Sequence, residues 1–191
     1  MSGPSRATRI ARAGLVTLSG LAACSGGDDG GEPTGPAARP AGEGIDGVVA
    51  IRVDSNEHTQ ARVDYSRTPP AGGDHNPVSA PCGFYVQPIA DEYVVHTMEH
   101  GAVWLAYATT LPEADVAVLR ELVADDEDVI ATPHSGLEVG AAVVASAWGR
   151  QLTLESVGDP RLEEFVEQYR NFDTAPEAST KCPPLPEGQG G

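Results

Sequence analysis

The sequence predicts a single α+β domain: a small, mainly antiparallel sheet with two helices on one side. Three observations lead there. Short runs rich in Val, Ile and other apolar residues recur along the chain, as strands require. Two stretches, 112–125 and 159 onward, carry apolar residues at helical spacing behind a proline at the helix start. The resulting order of strand, helix, strands and helix makes an α+β domain with the helices on one side of a mainly antiparallel sheet.

The first 23 of the 191 residues read as an export signal rather than as structure. Arg6, Arg9 and Arg12 form a basic start, and Ala13 to Ala23 is an apolar stretch too short to span a bilayer. It closes on Leu21-Ala22-Ala23-Cys24, the order of a bacterial lipobox, so residues 1–23 are expected to be removed and Cys24 lipidated. Acyl chains at about 0.8 kcal/mol per buried methylene would then attach the protein to a membrane. Residues 24–44 are Gly, Pro, Ala and acid without a large apolar side chain, and read as a flexible tether. Residues 45–182 make one domain's length of chain, and 183–191 resemble the tether in composition and are expected to be disordered.

Charge narrows the partners. The chain has 12 basic and 28 acidic side chains, a formal charge of −16, and loss of three signal arginines takes it to −19. Such a surface repels phosphate backbones and argues against nucleic-acid binding. Cys82 and Cys182 fall in the exported part, where disulfides persist, and are expected to pair.

Within the domain, 47–53 (GVVAIRV) reads as a strand. Residues 66–82 hold four prolines and two glycines, and must form a stiff, irregular loop. Residues 102–108 read as a buried strand. From Pro112 a helix runs to Asp125 with Val116, Leu119, Leu122 and Val123 on one stripe. A short strand over 129–132 ends at Pro133, and 141–155 reads as a hairpin broken near Gly149. The last helix starts at Asp159 as N-cap, with Leu162, Phe165, Val166 and Tyr169 on its apolar face.

The chemistry gathers in Asp91–Gly101. His96 and His100 stand four residues apart around Glu99, which places both imidazoles on one face of either a helix or a strand. Several motifs here and nearby resemble a bacterial family known as domain of unknown function 3105, whose members are exported or membrane-anchored. They are Pro69-Pro70-Ala71-Gly72-Gly73-Asp74-His75, Cys82-Gly83-Phe84-Tyr85, Val95-His96-Thr97-Met98-Glu99-His100-Gly101 and Ala147-Trp148-Gly149-Arg150. Where this chain has Ala71-Gly72 the family usually has Thr-Ser, and Leu is usual at Met98. The resemblance implies a fold and an envelope location, with no established activity. It adds His75, and His58 upstream, to the histidines in matched positions.

His75, His96 and His100, with His58 as a fourth, are the candidate metal ligands. Glu99 is either a ligand or the group that orients a histidine. Imidazoles, with a thioether at Met98 if the stretch is extended, favour copper before zinc in an exported protein. Two other readings compete. The histidines are structural in a non-catalytic interaction domain, or His96-Thr97-Met98-Glu99-His100 is the H-x-x-E-H pattern of a zinc hydrolase with Glu177 as the distant ligand. Against the hydrolase, Gly101 and a strand-like run follow at once where a long helix should continue. His134 is expected at the surface, and Arg150 is a candidate buried ion-pair partner. No serine-based catalytic set or phosphate loop is present.

Overall fold

The structure is a computed structural model that describes residues 44–178 and 180–183; the segments expected to be an export signal and a tether, but for Gly44, and the residues after 183 lie outside it. Its elements run β1 (Val49–Ala50), β2 (Gly83–Phe84), α1 (Asp91–Glu99), β3 (Val103–Ala108), α2 (Glu113–Ala124), β4 (Val129–His134), β5 (Val143–Ala147), β6 (Arg150–Leu154) and α3 (Arg161–Tyr169). The six strands form one sheet in the order β1-β6-β5-β3-β4-β2, so the α+β expectation holds.

The sheet is mixed. β1–β6, β6–β5 and β5–β3 are antiparallel, and β3–β4 and β4–β2 are parallel. Helix α2 is the crossover that a parallel β3–β4 pair requires. β3 lies at the centre with both faces covered, which is why its sequence is continuously apolar. Alternation sends Val103, Leu105 and Tyr107 to one face, against Leu119 and Val123 of α2 and Phe165 and Val166 of α3. Trp104 and Ala106 point to the other, against Val94, Val95 and Met98 of α1. The two helices expected on one side are there. The third, α1, covers the opposite face and carries the histidines.

Local details depart from the sequence reading for physical reasons. β4 continues through Pro133 to His134. Tyr85 N–H bonds the Ala131 carbonyl, so Pro133, two residues on, turns its missing N–H to the same side, where β2 has already ended. The 47–53 run pairs over only two residues. α3 begins one residue later than expected, yet Asp159 Oδ1 still accepts the Arg161 N–H at 3.0 Å. The hairpin turns at Trp148-Gly149, with φ 74° at the glycine. Cys82 and Cys182 are disulfide-bonded with Cα atoms 5.7 Å apart, beside a backbone bond from Cys82 N–H to the Pro183 carbonyl. No helix among the described residues is long and apolar enough to cross a membrane.

The end of α1 is determined by Gly101. Its N–H bonds the Met98 carbonyl and Ala102 N–H bonds the Thr97 carbonyl, the paired closure of a helix ending in a left-handed residue. Gly101 has φ 99°, and a Cβ there would lie 3.0 Å from the Asn171 Cα. The chain can therefore turn from helix into the buried β3 only with glycine at this point.

Candidate metal centre

Helix α1 resolves the spacing of its side chains into two faces. Val94, Val95 and Met98 go into the core. Glu92, His96 and Glu99, at i, i+4 and i+7, form one stripe facing the loops that precede the helix. Met98 lies about 200° around the helix from His96 and is fully buried in the core, so its sulfur is no part of the histidine group.

Two loops close on that stripe. The Pro-rich loop brings in His75, which is fully buried. A glycine is required just before it: Gly72 has φ 128°, and a Cβ there would lie 2.7 Å from Val53 Cγ2. Upstream, His58 pairs with His75 through an isolated parallel bridge, with Thr59 N–H to the His75 carbonyl at 2.7 Å and His75 N–H to the Glu57 carbonyl at 3.1 Å.

His58, His75, His96 and Glu99 each offer a ligand atom, and these atoms all lie within 4.8 Å of one another. The His58 and His96 rings stack with centroids 4.9 Å apart, and His75 meets each of them edge-on at 4.9 Å. The indole of Trp148 also stands edge-on to His75, with ring centroids 6.0 Å apart. His100 lies next to this group: its Nε2 is 3.1 Å from His96 Nε2 and 3.4 Å from Glu177 Oε2. The structure therefore brings Glu99 among the ligand atoms, and places His100 against His96 and the half-exposed Glu177.

Hydrogen bonding fixes which nitrogens hold lone pairs. His75 Nδ1 lies 2.8 Å from the Gly73 carbonyl and His96 Nδ1 lies 2.6 Å from the Asn76 carbonyl. A carbonyl only accepts, so both Nδ1 atoms carry hydrogen, and a neutral ring then presents Nε2 as a lone pair. Such anchoring of the far ring nitrogen is how ligating histidines are oriented. Burial also lowers the pKa of His96 below the usual histidine value, keeping its ring neutral.

The His75 Nε2 then faces Glu99 Oε2 at 2.9 Å, and two acceptors cannot sit at that distance unaided. The contact demands a positive charge, either an additional proton or a cation. Glu99 is buried, with Oε1 accepting from Asn56 Nδ2 at 2.8 Å and Oε2 also 3.7 Å from His58 Nε2. A tetrahedral ion with bonds of about 2.0–2.1 Å separates its donors by about 3.3 Å. The measured spacings bracket that value, so the group has the donor types and the dimensions to hold a metal ion.

Other expectations resolve differently. His134 is mostly buried rather than at the surface: its Nε2 is 3.3 Å from Asp91 Oδ1 and its ring meets Trp104 edge-on. Arg150 forms no ion pair among the described residues; its guanidinium bonds the Gly149 carbonyl and lies over the Phe172 ring. Asn56 escaped the sequence reading. The one signal for it is its position two residues before His58, which in an extended segment puts both on one face.

An α+β domain with three imidazoles and a carboxylate gathered beneath one helix is the class of protein these features define. Residues 57–184 match the family described as "Protein of unknown function (DUF3105)", and the chain belongs to that family. No curated protein and no solved structure matches it.

Proposed function

We propose that this is a lipid-anchored cell-envelope protein whose domain binds a transition metal through His58, His75, His96 and Glu99, with His100 adjoining His96. The observation that supports metal binding is the convergence of those four ligand atoms within 4.8 Å. The His75–Glu99 contact, which requires a cation or a proton, agrees with it. With Met98 in the core, the thioether argument for copper falls away. Copper stays before zinc on the affinity order for nitrogen and oxygen ligands alone.

The test is a titration of the purified protein with Cu(I), Cu(II) and Zn(II). One ion per chain is expected, lost when His75 and His96 are both replaced by alanine. Absence of stoichiometric binding, or its survival in that double variant, refutes the reading. Envelope location and anchoring rest on the sequence of residues 1–24; Cys24→Ser should release the protein from membranes into the soluble fraction, and unchanged membrane partition would refute lipidation at that position.

A second reading is favoured by the same hydrogen bonds. The histidines tie α1 to two loops without an ion, as structural residues of an interaction domain would. The hydrolase reading is weaker. α1 stops at Glu99, where the long helix of that pattern should continue, and Glu99 stands among the ligand atoms of the group rather than apart from them as a base.

A further inference from the structure

The donors of the centre differ in how they are held. His96 and Glu99 stand on α1, and His75 is enclosed in the stiff Pro-rich loop. His58 is borne by residues 54–62, a strap laid along α1 whose side chains are all exposed except that of Thr59. None of its side chains belongs to either hydrophobic cluster.

Polar contacts hold the strap, together with the His58 ring stacked on His96 and edge-on to His75. Ser55 Oγ and Glu57 N–H bond the Asp74 carboxylate, and the Thr59–His75–Glu57 backbone bridge lies beside them. Asn56 and His58, two residues apart and so on one face, both reach inward to Glu99. Beyond each end the chain is pinned to the body, at Ile51 N–H to the Gly149 carbonyl and at Val63 N–H to Glu92 Oε1. The His58 side chain is 49% exposed against 0% for His75 and 4% for Glu99. His58 is thus the donor at the mouth of the group.

We infer that the centre is a metal-exchange site, in which the ion enters and leaves past His58 as the strap of residues 54–62 lifts and closes. This rests on the metal-binding reading above and adds the route and the displaceable ligand. In transfer, the lone pair of His58 leaves the ion and a nitrogen or sulfur donor of a metal-accepting partner takes its place, with no change in the charge of the ion. Segments that lack buried apolar contacts open at low free-energy cost, whereas release of His75, His96 or Glu99 requires the loop or the helix to move.

The experiment uses the full chain loaded with Zn(II). Hydrogen exchange is followed on peptides covering 54–62, and stopped-flow absorbance follows transfer of zinc to a chromophoric pyridylazo chelator. Bound zinc should slow strap exchange at least about tenfold, the lower end of what loss of one supporting partner costs a metal site. His58→Ala should still hold one zinc per chain, release it at least about tenfold faster, and show no zinc-dependent protection of the strap. Because His58 is half-exposed, this variant should keep its fold, checked by circular dichroism. Equal strap exchange with and without bound zinc overturns the inference. So does a His58→Ala release rate equal to that of the unaltered protein, or complete loss of zinc from that variant. Failure of the unaltered protein to bind zinc removes the centre itself, an outcome distinct from a bound ion that leaves the strap unaffected.

Discussion

Glu99→Gln separates a metal centre from a structural ion pair. In the native arrangement Glu99 accepts from Asn56 at 2.8 Å and meets the His75 lone pair at 2.9 Å. A glutamine fits both partners without any extra charge: its oxygen accepts from Asn56 and its amide N–H donates to His75 Nε2. One charge-assisted bond becomes a neutral one, a difference of about 1 kcal/mol, so the metal-free fold should shift in Tm by only about 3 °C for a domain of this size. The ion, in contrast, loses its only anionic donor in the group. A ligand held at a hundred times its Kd stabilises the fold by about 2.7 kcal/mol, or about 8 °C in Tm. That increment should vanish in the variant. Differential scanning calorimetry with chelator, and again with excess zinc, measures both quantities. If Glu99→Gln keeps the zinc-induced rise, the carboxylate is no ligand. If the metal-free Tm falls by about 10 °C, the pair is a structural ion pair whose loss costs the roughly 3–5 kcal/mol of a broken buried salt bridge.

Three further outcomes follow from the packing. Burial lowers the pKa of His96, so the unfolded chain takes up its proton first on acidification. The stability His96 contributes is complete above its unfolded value of about 6.5 and is lost as pH falls through the lower folded value. In chelator, denaturant midpoints of His96→Gln should fall less steeply over that range than those of the unaltered protein, and parallel curves would refute the assignment. Cys82→Ser removes a bridge of sequence separation 100, and should lower unfolding free energy by about 2–5 kcal/mol; the loss should match that caused by reductant on the unaltered protein. Gly72→Ala puts a Cβ 2.7 Å from Val53 at φ 128°, and should cost at least about 1–2 kcal/mol in urea unfolding, with weaker zinc binding because the loop that carries His75 is displaced.

Much of this molecule was legible in one dimension. The α3 face of Leu162, Phe165, Val166 and Tyr169, the buried β3 run and the broken hairpin are all local periodicity, and each falls in a single segment of chain. The shared face of His96 and His100 was equally secure, because a spacing of four is co-facial in helix and strand alike. The Cys82–Cys182 pairing was legible as well, on the expectation that Cys24 is lipidated and the rest of the chain exported.

What depended on tertiary structure was everything set by segments far apart in sequence. Parallel pairing of β4 with β3 and β2 leaves no mark on the strands themselves. The helical state of α1 came from the Gly101 closure and from the sheet face waiting for Val94, Val95 and Met98, and it carried Met98 away from the histidines. The donor set was decided last of all. Glu99 joins His58, His75 and His96 because Asn56 and His58 arrive from 43 and 41 residues upstream, while His100 turns toward Glu177 in the C-terminal segment. Sequence can state which side chains share a face of one element, since backbone geometry alone fixes that; which side chains meet across elements is fixed by how the core packs.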